Sequence, residues 1–570
     1  MSLRTRINMT IHSLSLSGKL IFYILLTIFL GSTLSLLWTL NNFFMVEVPQ
    51  RGGVITEGVI TLPHYINPVL AVTDSDKDLA AIVYAGLMRQ TPDGTLLPDI
   101  AEKSSLSTDG KEYTFTLKPD VTFTDGTALT ADDVVYTIQQ VQNPSNKSPK
   151  RANWDGVLVE KIDDRTIKFT LTQPYAPFLE NLTVGILPQE LWQNNTSDSF
   201  ALSELNTNPI GSGPYKIKAI RKNSNGIPLS YELVPNDDYT LAKPFIGKII
   251  FKFYPTEKML ETAYQNGEID SINGISPDLA RTLADKGGKV YSAALPRVFG
   301  VFFNQSDNVA LADATVRKAL DMSVNRDYIV NTVLQGFGTP LMGPVPQRFI
   351  GDSPSATSTT TSYEDRVREA QTLLDNAGWI LNADGIREKK LSNGTTSLTF
   401  AISTSDAPEL TEVADILKSE WRKIGANVDV KVFEGGNLNQ NIIRPRKYDA
   451  LLFGQIVNRD LDLYAFWHSS QKTDPGLNIA LYANAKADKM LENLRTLTSD
   501  TARLEEFKKF QAELATDIPA VFLYSPNFIY VASPKVKNIG IDHLTNPSER
   551  FDAVYTWYVN TEKVWKVFAR

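Results

Sequence analysis

The sequence predicts an α/β protein, with one membrane-spanning helix ahead of a large body of mixed strands and helices. Three observations lead there. Residues 20–40, LIFYILLTIFLGSTLSLLWTL, contain no charged side chain. At 1.5 Å per residue they cover about 30 Å, the hydrocarbon thickness of a bilayer. Farther on, Tyr113, Phe115 and Leu117 alternate with polar residues just after Asp109-Gly110, as in a strand leaving a tight turn. Later, a strand at 398–403 precedes a helix that begins at Pro408 and carries Leu410, Val413, Leu417, Trp421 and Ile424 on one side. Gly425 ends that helix, and Val428, Val430 and Val432 alternate as the next strand. Strand, helix and strand in that order form a βαβ unit.

The apolar run also sets an orientation. Arg4, Arg6 and Lys19 precede it and no acidic residue does; positive charge keeps that end in the cytoplasm. Residues 1–19 are expected to be a cytoplasmic tail, 20–40 the anchor, and the chain from about Asn41 onward extracytoplasmic. A cleaved signal peptide is the alternative. The length of the run opposes it, as do bulky Phe43, Phe44 and Met45 where a cleavage site needs small residues. No second run of this kind follows, which excludes a channel or a permease.

Composition removes other classes. With 57 basic against 64 acidic side chains the 570-residue chain has a net charge of −7, unlike a nucleic-acid binder with its basic surface. Zero cysteines leave no disulfide, thiolate nucleophile or lipid-bearing cysteine. His12, His64, His468 and His543 are too scattered to suggest a metal site, and no cofactor is expected. No G-x-S-x-G, H-E-x-x-H or Cys–His pair marks an enzyme.

Along the body, residues 54–56 read as a short strand. Asp109-Gly110 and Asp125-Gly126 read as hairpin turns, and Thr130-Ala131-Asp132-Asp133 as a capping box opening a helix with Val134, Ile138 and Val141 inward. Ile167, Phe169 and Leu171 form another alternating strand. Val316, Leu320 and Ile329 lie in one long helical stretch that stops near Gly336, and residues 353–362 form a polar, exposed loop. Gly211-Ser212-Gly213-Pro214-Tyr215 reads as a sharp reversal with backbone against backbone; it lacks the pattern of a phosphate loop.

These segments also carry a resemblance. Pro98-Asp99-Ile100-Ala101, the stretch STDGKEYTFTLK from Ser107, VTFTDGTALTADDV from Val121, Gly211 to Tyr215, Gly267-Glu268-Ile269-Asp270, and VRKALDMSVNR from Val316 occur in order. The chain resembles the extracellular solute-binding proteins of the peptide and nickel type, family 5, which serve ABC importers. The resemblance implies a two-lobed periplasmic-binding-protein fold (type II, cluster C) with an extra inserted domain. Lobe I would comprise residues 47–97, 209–303 and 526–570, the inserted domain 98–208, and lobe II 304–525. A monomer is expected, closing about hinges on a small peptide or related solute and presenting it to permease and ATPase subunits. Peptide main chain can pair with such a cleft as an added strand while side chains occupy wet pockets.

The resemblance also points to site residues. Where peptide-binding members carry G-W-x-x-D, whose aspartate pairs with the ligand amine, this chain has Gln455 at the tryptophan position and Asn458 or Arg459 at the aspartate position. Asp460 and Asp462 are near but out of register. Arg459 in the cleft would favour a carboxylate, and Asn458 would hold an ammonium without charge assistance. Asn304 and Tyr524, on crossing strands, are expected to approach the cleft; Trp467 is a candidate to stack on ligand, although an aromatic near a helix is more often core. Val72 stands where some members carry an acid, and Asn478 aligns with a structural asparagine. The alternatives are a receptor for a non-peptide solute, such as a sugar or nickel complex, and a sensor or adhesin uncoupled from transport.

Overall fold

The computed structural model describes residues 9, 13–175, 177–346, 361–392, 394–457, 462–497 and 499–569. They form two compact units, residues 1–53 with 558–570, and residues 54–557.

In the smaller unit Ser15 caps a helix, Leu16–Phe44, by accepting a hydrogen bond from the Gly18 amide at 3.2 Å. The helix extends past the apolar run 20–40 at both ends, over Leu16 to Lys19 and Asn41 to Phe44, because neither flank contains a proline. Its surface is apolar on every side and none of it is buried. The hydroxyls of Thr27, Thr33 and Thr39 each donate to a carbonyl four residues back, at 2.8 Å, so these polar groups are satisfied within the helix as a lipid environment requires. The chain then becomes extended, and strand Met45–Gln50 pairs antiparallel with strand Asn560–Trp565, Met45 opposite Trp565 and Gln50 opposite Asn560.

The larger unit is built on a twelve-stranded sheet: β1 (Val54–Ile60), β2 (Tyr215–Lys222), β3 (Pro228–Pro235), β4 (Lys248–Tyr254), β5 (Ser271–Asn273), β6 (Lys289–Ala294), β7 (Arg297–Phe303), β8 (Gly338–Pro340), β9 (Thr399–Ser405), β10 (Asn427–Phe433), β11 (Ala450–Ile456) and β12 (Ala520–Ala532). The order runs β10-β9-β11-β7-β12-β5-β1-β4-β3-β2, with β6 and β8 also pairing with β12. β12 joins the two halves: Ala520 to Tyr524 pair with β7, and Asn527 to Ala532 with β6. Successive residues of β7 and β12 enter different cores. Val301, Phe303, Val521 and Leu523 pack with Leu320, Leu417 and Trp421. Val298, Phe302 and Phe522 pack with Trp467, Phe507 and Phe510, and Ile529 and Val531 with Leu260 and Leu283. Side-chain alternation along a strand covered on both faces produces this division.

Most of the local readings match the structure. Strands Ala101–Leu106 and Glu112–Leu117 form the hairpin at Asp109-Gly110, with Gly110 at φ 72°. They belong to a four-stranded antiparallel sheet with Leu158–Asp163 and Thr166–Thr170. Thr130 and Asp133 form the capping box of helix Ala131–Gln142, which buries Val134, Ile138 and Val141. β9, helix Pro408–Lys423 and β10 make the βαβ unit, the two strands parallel. Gly211 and Gly213 lie against the end of helix Asp74–Val83: the Gly213 amide donates to Val83 O at 2.8 Å, and a Cβ on Gly213 would stand 2.6 Å from Ile82 O. The long helical stretch is instead two helices, Ala314–Met322 and Arg326–Val333, because Asn325 turns outward to cap the second, accepting from the Tyr328 amide at 3.1 Å. Of the polar stretch 353–362, residues 353–360 lie outside the described residues.

Candidate functional site

Helix Asp74–Val83 supplies one wall of a cavity of ≈ 430 Å³, within the size range of small-molecule sites. A capping box fixes its first turn: Thr73 Oγ1 accepts from the Asp76 amide and Asp76 Oδ2 from the Thr73 amide, both at 3.1 Å. Asp76 Oδ1 also accepts from the amides of His64 and Tyr65, at 2.6 and 2.9 Å. With the helix so held, Asp74 and Lys77, three residues apart and hence neighbours on one face, both line the cavity, together with the exposed Val72. Lys150 reaches it from the segment after helix Ala131–Gln142. Arg297 and Ile456, directly opposite each other on β7 and β11, close another side.

Three charged groups in the lining are already engaged, Arg89, Glu549 and Asp552, the last 3.7 Å from Arg89. Arg89 donates to Asp99 at 2.6 Å and to Asp552 O at 3.1 Å, and Asp99 also accepts from Tyr239 and Thr240. Glu549 accepts from the Thr545 amide at 2.6 Å and from Asn546 at 2.7 Å. The side chains of Lys77, Lys150, Arg297 and Asp74, in contrast, make no hydrogen bond or ion pair with a described residue. Lys150 is exposed to the cavity yet surrounded by its walls. Desolvation pushes its ammonium below the usual lysine range, Lys77 adds to that, and Glu549 opposes it. Desolvation likewise lowers Arg297, with Asp74 opposing. Lys77, Lys150 and Arg297 thus keep free donors that a ligand anion could engage, partly balanced by the carboxylates of Asp74 and of Glu549, whose own donors are neutral amides.

The structure separates the residues expected from sequence. Asn304 is 1% exposed and ties loops together: Nδ2 donates to Asp307 at 3.0 Å and to Arg446 O at 3.2 Å, and Oδ1 accepts from the Ser306 amide. Tyr524 is 2% exposed, its ring stacked on Phe299 with centroids 5.1 Å apart, and burial pushes its hydroxyl up. Trp467, a candidate for ligand stacking or for the core, is 1% exposed and packs among Phe302, Tyr482 and Phe522. Core layers cover both faces of β12 at Tyr524, while Asn304 follows the end of β7 and Trp467 sits on helix Tyr464–Trp467, and all three side chains face protein. Gln455 is also buried, next to the cavity-lining Ile456, with Nε2 3.5 Å from Leu477 O. Asn458, Arg459 and Asp460 lie outside the described residues. Asp462 pairs with Arg495 at 3.1 Å. Asn478 is structural, donating to the carbonyls of His468 and Tyr482 at 3.1 and 2.9 Å. Lys77, Lys150 and Arg297 had no sequence signal, since isolated cations beside turns or on a helix face read as solvated surface.

The match to known proteins decides the family. Residues 95–476 fit the middle region of the bacterial extracellular solute-binding proteins, family 5. The chain belongs to that family. This family 5 protein is 27% identical over 487 residues to the oligopeptide-binding protein AppA of Bacillus subtilis, covering 84% of this chain and 87% of AppA. The structure of B. subtilis AppA in complex with a nonapeptide superposes with a TM-score of 0.67 at 26% identity, over 90% of this chain and all of that one. NikZ from Campylobacter jejuni in complex with Ni(L-His) superposes with a TM-score of 0.69 at 28% identity, over 89% and 99% of the two chains. The fold is thus the mixed α/β fold of periplasmic binding proteins. The family 5 protein is an extracytoplasmic solute-binding component of an ABC import system, and its site binds and releases without making or breaking covalent bonds.

Proposed function

We propose that this protein is a membrane-anchored receptor that captures a peptide, or another small solute bearing a carboxylate, and hands it to an ABC permease. The observation that carries the ligand chemistry is the set of uncommitted cations, Lys77, Lys150 and Arg297, around one cavity. AppA, whose structure holds a nonapeptide, supports a peptide cargo. Under the domain division expected from sequence, the cavity takes walls from lobe I, the inserted domain and the β7–β11 crossing. A ligand touching all three would draw them together, and its contacts with each would supply the energy of closure. Arg459 follows the lining Ile456 by three residues and is proposed as a further carboxylate contact, with Asn458 and Asp460 beside it. A nickel complex, the cargo in NikZ, is the second reading, because the same cations suit the carboxylates of a metal chelate.

Anchoring rests on helix Leu16–Phe44 and on the C-terminal strand that pairs with the residues directly after it. Cleavage near the helix end would remove groups that this strand engages: the Trp565 indole N–H donates to Asn41 Oδ1 at 2.9 Å. The ligand reading is tested by calorimetry with a peptide and its C-terminal amide. Charge-assisted hydrogen bonds contribute about 1.5–3 kcal/mol, so the free acid should bind roughly 10- to 100-fold more tightly. Equal affinities would refute a carboxylate site.

A further inference from the structure

The smaller unit brings residues 560–569 back to the end of the apolar helix. Because Met45 pairs with Trp565, the last residues emerge beside Asn41 and Phe44. Besides the indole bond to Asn41, the Trp565 ring stacks on Phe44 with centroids 6.3 Å apart, and the Lys566 amide donates to Phe44 O at 2.8 Å. A turn closed by the Phe568 amide on Trp565 O at 2.7 Å then holds two apolar side chains outward, Val567 at 85% and Phe568 at 73% exposure. Phe43, on the helix side, is 80% exposed.

The height of this cluster can be placed. If the hydrocarbon begins at Leu20, just past Lys19, about 30 Å of helix brings its outer edge to Leu40. Asn41 is the next residue, so Trp565 stands within one turn of that edge. Trp and other amphipathic aromatics prefer this level, where the ring is in apolar surroundings and the N–H keeps a polar partner. Lys566, directly after Trp565, adds positive charge suited to anionic headgroups, whereas Lys563 stands opposite Glu47.

We propose that residues 565–568 form a second membrane contact, lying in the outer headgroup region of the bilayer beside the helix end. The inference rests on the anchor reading above. It assigns the C-terminal strand a role of its own: both chain connections of the unit, at Gln50 and at Asn560, leave from the far end of one ribbon whose near end is fixed to lipid through two segments.

The absence of native cysteine permits single-site labelling. The full chain carrying Ala569→Cys, Glu562→Cys or Leu30→Cys, each with an environment-sensitive fluorophore, is reconstituted alone in vesicles of equimolar phosphatidylcholine and phosphatidylglycerol. At Ala569 the probe is expected to be quenched by headgroup-region spin-labelled lipid and shielded from iodide. At Glu562 the reverse is expected, and at Leu30 quenching by deep spin labels. Adding Val567→Ser and Phe568→Ser to the Ala569→Cys chain should return that probe to water. An iodide-accessible probe at Ala569 with a lipid-quenched probe at Leu30 would overturn the second contact while leaving the anchor intact. Protection at Ala569 that survives the two serines would also overturn it. Aqueous probes at all three positions would remove the anchor and this inference with it.

Discussion

Replacing Arg550 by Met should be among the most damaging single changes in the body. Arg550, Glu57 and Asp78 are all fully buried. The guanidinium donates to both oxygens of Asp78, at 2.7 and 2.6 Å, to Glu57 at 3.0 Å and to Pro547 O at 2.8 Å. Its carbon lies 4.0 Å from the Phe551 ring centroid. Two carboxylates thus share one cation, and Tyr530, Ser271 and Asn273 donate to Glu57 to offset the surplus negative charge. Arg550→Met keeps the volume but leaves both carboxylates without a cation. Breaking a buried pair in this way costs about 3–5 kcal/mol, a large part of the roughly 5–15 kcal/mol that holds a domain folded. The assay is urea unfolding of the full chain in detergent, read by tryptophan fluorescence; Trp557 packs 5.7 Å from Phe551 and reports on the cluster. The triple variant Glu57→Leu, Asp78→Leu, Arg550→Met should recover most of the loss, since apolar replacement of a whole buried ion cluster is often neutral or stabilising. A loss below about 1 kcal/mol for Arg550→Met, or no recovery in the triple variant, would refute this account of the cluster.

Burial pushes the Asp78 carboxyl up to about 6 from 3.8, against the pull of Arg550 and with help from Glu57. The folded state therefore holds this proton more tightly than the unfolded chain. The resulting stability is present below the unfolded value and is lost as pH rises through about 6, so the unfolding free energy of wild type minus that of Asp78→Asn should fall between pH 4 and pH 6.5. Arg297→Ala should weaken binding of a free-acid peptide about tenfold while barely changing its amide, and Arg459→Ala should show the same preference; loss of both ligands alike, measured by calorimetry, would argue for a general packing effect. Trp467→Ala should cost about 3–5 kcal/mol in urea unfolding as a core truncation, whereas a large change in ligand affinity with unchanged stability would restore the residue to the site.

What could be read from the sequence was local. Asp109-Gly110, the Thr130–Asp133 box and the Pro408-to-Gly425 helix each depend on neighbours within one turn or hairpin, and each formed as the residues imply. The reversal at Gly211 and Gly213 was legible because two glycines leave room for the backbone of another segment. The break at Asn325 was missed because apolar residues continue at helical spacing through it, while the cap depends on a single side chain. The burial of Tyr524 could not be read for a different reason. Strand alternation gives two faces but not which of them meets solvent, and here long-range packing covers both. Lys77, Lys150 and Arg297 come from three distant stretches, and nothing in any one of them announces the others.

Helix Asp74–Val83 also serves two purposes at once. Lys77 turns toward the cavity and Asp78, its next residue, toward the buried guanidinium of Arg550. If Lys77 holds the cargo as proposed, selectivity and durability are mounted on one short lever. Under that proposal, a lineage that alters the ion cluster to gain thermal tolerance would also shift Lys77, and one that adapts Lys77 to a new cargo would test the cluster behind it. Changes at Glu57 or Arg550, remote from any solute, are therefore where compensating substitutions should accumulate when the diet of the cell changes.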